Sequence, residues 1–151
     1  MYNKGDYLIL KNGGIWHVDS VEDDDVSLTE HGGGSVILLP QKSKDIVRTV
    51  VSKEAITEVI DRIPFICTIQ APKDSVRKEL YDTAMEAYDE IEWVRIIKTI
   101  YLRCQEGRLM ESELAYGKRA KGFLYGEISV LLDIPADKAE EYIKQNIDGS
   151  W

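Results

Sequence analysis

A chain of 151 residues, 44% hydrophobic and 30% charged, is long enough to bury a core and holds one domain or two small ones. Its net charge of -8 argues against non-specific nucleic-acid affinity, which depends on Lys and Arg neutralising phosphate. No charged n-region with a following apolar stretch and no run of about eighteen apolar residues occurs, so the expectation is a cytoplasmic protein with no membrane partner.

Tyr7-Leu8-Ile9-Leu10 reads as a strand, Asn12-Gly13-Gly14 as a tight turn needing positive φ, and Ile15-Trp16-His17-Val18 as the returning strand. Further turns are marked by Asp23-Asp24-Asp25 and by His31-Gly32-Gly33-Gly34, with short strands at Val26-Ser27-Leu28, Val36-Ile37-Leu38-Leu39 and Ile46 to Val51. Four to five short strands with glycine turns predict a small antiparallel β-barrel of the SH3 or Tudor kind. The acidic triplet lacks the further oxygen ligands of a calcium loop, and the glycine triplet lacks the lysine of a phosphate loop.

Ser52 is placed to cap a helix running to about Arg62, which Pro64 stops. Residues 63–70 are too apolar for a free tether and are expected to pack along a boundary. From Asp74 or Ser75 the pattern is helical. Val76, Leu80, Ala84 and Ala87 form one series, and Trp93, Ile96-Ile97, Ile100-Tyr101 and Cys104 form a second that Gly107 ends. A helix over about 110–132 carries Gly117, Gly122 and Gly126, whose cost in helix propensity implies close approach of a neighbour. A last helix follows Pro135, giving an all-α helical bundle. The fold class predicted is α+β: a β domain over 1–51, a connecting helix and linker over 52–72, and a helical domain over 73–151.

Residues 1–62 carry seven basic and eleven acidic side chains, and 63–151 carry twelve and sixteen, so neither part is basic overall. Cys67 and Cys104 have no partner spacing and are expected as reduced, buried thiols. His17 and His31 form no ligand pair with either, so no metal site is expected. His17 and Asp19 share a strand face, but no nucleophile or oxyanion donor completes a hydrolytic constellation; no catalytic residue, cofactor or small-molecule substrate is assigned. Trp93 has the helical spacing of a core residue, whereas Trp16 reads equally as core or as exposed anchor.

Gly5-Asp6 before an apolar strand, Gly14, Val18 to Glu22, Leu39-Pro40, Val47-Arg48-Thr49-Val50 and Ser52-Lys53-Glu54 together resemble the first half of the CarD-like bacterial transcription regulators. Val94 to Arg103, Leu109 to Glu113 and Lys118 to Glu127 resemble helices of that family's second half. The resemblance implies a Tudor-like domain that docks by strand contact on the RNA polymerase β subunit, and a helical domain that meets promoter DNA near the opening bubble. Strand addition suits such docking, because main-chain hydrogen bonds supply affinity and alternate side chains set specificity. Val36, Ile37, Leu38 and Leu39 are the docking strand this implies. Where many members carry a wedging tryptophan before the first C-terminal helix, this chain has Asp74, an acid that repels phosphate.

Arg77, Lys78, Arg95, Lys98, Lys118, Arg119 and Lys121 are the candidate DNA contacts, if they converge on one patch; the competing expectation is that they pair with neighbouring Asp and Glu. An adaptor of the same fold that binds protein and leaves DNA alone is the alternative function.

Overall fold

The computed structural model describes residues 1–147 and Trp151, so residues 148–150 of the expected helical domain lie outside the described residues. Five strands are present: β1 (Tyr7–Leu10), β2 (Ile15–Glu22), β3 (Asp25–Glu30), β4 (Val36–Pro40) and β5 (Ile46–Thr49). They form one antiparallel sheet in the order β4-β3-β2-β1-β5. Five helices follow: α1 (Lys53–Arg62), α2 (Asp74–Glu86), α3 (Glu90–Gln105), α4 (Glu111–Leu132) and α5 (Ala139–Asn146). The α+β class is as expected, but the sheet is open, with β4 and β5 at its two edges, where a closed barrel was predicted.

Strand alternation divides the sheet's apolar residues between two cores. Leu8, Leu10, Trp16, Val18, Val26, Leu28 and Ile46 face one side, joined by the half-buried Ile37 and Leu39. No helical residue belongs to this cluster, yet Leu8, Val18, Val26 and Leu28 are fully buried, so the sheet curls over its own face. Irregular register in β1 after Ile9 and in β2 after Val18 supplies the bends. Trp16 is thereby core, its indole N–H donating to the Gly13 carbonyl at 2.9 Å.

Ile9 and Ile15, on the opposite face, join the helical core of Ile56, Ile60, Trp93, Ile96, Phe123, Leu124 and Ile128. The two halves of the chain therefore share a core. Gly126 seats α4 on the sheet: a Cβ there would lie 2.8 Å from Ile15 Cγ1. Gly117 seats α4 on α3 in the same way, 2.9 Å from Ile100 Cδ1, while Gly122 faces open space and has no packing reason.

Local signals set most boundaries. Ser52 Oγ accepts from the Ala55 N–H and starts α1; Asp89 accepts from Ile91 N–H and starts α3. Tyr88, at φ 48°, turns the chain between α2 and α3. Residues 63–70 pack only in part, since Ile63 and Ile69 are buried while Phe65 and Cys67 are exposed. Both cysteines are free and exposed, a correction to the buried thiols expected. In α3 the inward stripe runs Ile96, Thr99, Arg103, which turns Cys104 outward.

Candidate functional site

Strand β4 pairs with β3 along one side only, from Thr29↔Val36 to Asp25↔Pro40, and its other side meets no strand among the described residues. Val36 and Leu38 are each 66% exposed, whereas Ile37 and Leu39 point into the sheet's own core. The four residues singled out in the sequence thus form one edge with two apolar side chains outward and two serving as anchors. Main-chain donors and acceptors on that edge are available to an incoming strand, and nothing charged on β4 guards it.

The hairpin that carries β4 is tied down at its tip. Ser129 Oγ donates to the Ile134 carbonyl at 2.5 Å, which leaves it to accept from His31 Nε2 at 2.9 Å, so β3 and β4 are moored to the end of α4. His17, Asp19 and Thr29 are linked on the strands beside it: His17 Nδ1 lies 2.7 Å from Asp19 Oδ1, and the Thr29 hydroxyl donates to Asp19 Oδ2. The Thr29 bond first, then His17, holds the Asp19 carboxyl below the usual carboxylate range.

The seven candidate DNA contacts are spread over α2, α3 and α4, and six are engaged within the molecule. Arg77 is buried and donates to Asp74 at 2.7 Å; Lys78 pairs with Asp82 at 3.0 Å; Arg95 pairs with Glu92 at 3.1 Å; Lys121 lies 3.7 Å from Glu140. Lys98 donates to the Ile63 and Ile66 carbonyls, both at 2.7 Å, and its burial lowers its pKa. Arg119 donates to the Lys11 carbonyl and lies over the Phe123 ring. Lys118 alone is exposed without a partner among the described residues. Pairing with neighbouring acids and carbonyls, rather than one patch, is what the helices make of these cations.

Two buried charge networks carry the junctions. Arg48, on β5, donates to Glu90 at 3.0 Å, to Glu127 at 3.1 Å and to the Tyr88 carbonyl, while Val51 N–H donates to Glu127 at 2.9 Å. Two carboxylates thus share one guanidinium. Glu127 is fully buried, and that burial, reinforced by the charge of Glu90 and opposed by Arg48, pushes its carboxyl up to about 7. Its Oε1 and the Trp93 indole nitrogen are sealed without a hydrogen-bond partner. In the second network Arg103 Nε donates to Glu113 at 2.8 Å, and the Tyr81 hydroxyl donates to the same carboxylate at 2.7 Å. Burial raises the Tyr81 hydroxyl's pKa, Glu113 adds to the rise, and Arg103 and Arg77 oppose it.

Sequence reasoning passed over Arg48, Glu90, Arg103, Glu113 and Glu127 because charged residues read as surface. The signal was their spacing. Glu113, Gly117, Ala120, Leu124 and Glu127 follow each other at three- and four-residue steps, so both glutamates lie on the apolar stripe of α4. No protein-family model matches this chain, and no curated protein does either.

Proposed function

We propose that the protein is a CarD-like transcription regulator that docks on the RNA polymerase β subunit by adding β4 to a strand of its partner, and thereby influences promoter opening. The observation that carries the reading is the open β4 edge, with Val36 and Leu38 exposed at its end of the sheet. A curled five-stranded sheet with a core of its own is also what a Tudor-like docking domain requires. In this reading promoter contact falls to Lys118 and the exposed parts of Lys78, Arg119 and Lys121.

A second reading, an adaptor that docks by the same strand and leaves DNA alone, is favoured by the internal pairing of the basic residues and by Asp74 at the start of α2. The test is binding of the full chain to a fragment of the cognate polymerase β subunit, with Leu38→Glu as the probe. Saturable binding by the parent chain and its loss in Leu38→Glu are the expected result; absence of binding by the parent chain overturns the polymerase reading. Duplex DNA titrated at several salt concentrations separates the two, since phosphate contacts give a steep salt slope and an adaptor gives none.

A further inference from the structure

We infer that the protein binds a small free oxyanion of the inorganic phosphate class in a small polar pocket between α2, α3 and the segment before α2. The cavity has a volume of about 60 Å³ and is walled by Arg77, Thr99, Arg103 and Ala71, with Glu106 and Arg108 at its rim. That is room for about two water molecules, or one tetrahedral oxyanion.

Arg77 and Arg103 are 6% and 7% exposed, so each is more than nine-tenths buried. Guanidinium groups carry five N–H donors and stay charged, so each one buried needs acceptors. Arg77 uses Nη1 alone, on Asp74; no acceptor for its Nε or Nη2 occurs among the described residues. Arg103 spends Nε on Glu113 and Nη2 on Glu113 and the Arg108 carbonyl, which leaves Nη1 without one. These nitrogens are not among the sealed, unpartnered atoms, and the cavity is the space both side chains line.

Three guanidinium groups wall or rim the cavity, each with one carboxylate partner, Arg77 with Asp74, Arg103 with Glu113 and Arg108 with Glu106 at 3.5 Å, so what the cavity offers an anion is the N–H donors those pairs leave unused. An oxyanion accepts from planar guanidinium donors in the fork geometry those groups favour. The small volume suits a single oxyanion and leaves no room for a sugar or a base.

The test is calorimetry and thermal unfolding of the full chain with inorganic phosphate, at constant ionic strength against chloride. Saturable binding and stabilisation by phosphate are expected. Arg77→Met should weaken binding by about tenfold or more, and Glu106→Gln, which removes the rim acid, should strengthen it severalfold. Arg62→Ala, on the exposed side of α1 away from the cavity, should leave phosphate binding unchanged. Because Arg77→Met also breaks the pair with Asp74, Arg108→Ala, with a side chain 62% exposed, is the second variant and should also weaken binding. No saturable phosphate effect, or one indifferent to Arg77, Glu106 and Arg108, overturns the inference. So does a duplex oligonucleotide that binds through these arginines when inorganic phosphate does not.

Discussion

The two edges of the sheet have met opposite fates. At β5, Arg48 reaches into the helices to hold Glu90 and Glu127, Val47 joins the helical core, and the chain leads directly to the α1 cap. At β4 the apolar side chains of Val36 and Leu38 stand in solvent, and no element among the described residues covers them. One edge is spent on holding the molecule together; the other is the one the proposed docking would use. The difference teaches that apolar side chains exposed on β4, unlike the exposed Phe65 or Leu114, lie on an element that can also form main-chain hydrogen bonds, which is where a docking function would put them.

The largest break in this contrast is Arg48→Met. Removing the guanidinium strands two buried carboxylates, and denaturant unfolding should show a loss of about 3–5 kcal/mol. A loss below about 1 kcal/mol would mean that the clasp does not hold β5 to the helices. Next comes pH. Because the native Glu127 carboxyl titrates near 7 rather than 4.5, the folded protein keeps a proton the unfolded chain has released. Its contribution is complete below pH 4.5 and is lost as pH rises through about 7. Unfolding at pH 5 and pH 8 should therefore differ by roughly 2 kcal/mol in favour of pH 5, and Glu127→Gln should flatten the difference. A parent profile that rises over this window would contradict the burial of Glu127.

Smaller effects sharpen the comparison along α4. Gly126→Ala drives a methyl into Ile15 and should cost about 1–3 kcal/mol, whereas Gly122→Ala meets nothing and should stabilise by up to about 1 kcal/mol. Equal signs for the two in thermal unfolding would deny the seating of α4 on the sheet. The smallest change in stability belongs to Leu38→Glu, within about 0.5 kcal/mol, because its side chain is exposed. That same variant should have the largest effect on partner binding, and a marked loss of stability would place Leu38 in a core instead.

Much of this contrast was legible in the residues. Asn12-Gly13-Gly14 marked the first hairpin, Ser52 the start of α1, and the spacing of Trp93 its burial, since each signal is local and has a single physical reading. Val36 to Leu39 was legible as a strand, but its place at an edge was not, because strand order follows from pairing between distant segments. The same holds for the clasp: Arg48 and Glu127 are 79 positions apart, and nothing near either announces the other. Open closure of the sheet was missed for a related reason. Turns fix hairpins, whereas the fate of β5 was decided by Ile9, Ile15 and Val47 facing helices that the turn pattern does not mention.

The hydrogen bond from His31 to Ser129 has a consequence for the proposed docking edge. With the far end of the β3–β4 hairpin anchored on α4, much of the freedom that an isolated edge strand would surrender to a partner has been surrendered already, during folding. Ordering entropy of that kind is a principal cost of association, so the mooring acts as preorganisation: it adds no contact to an interface and yet favours its formation.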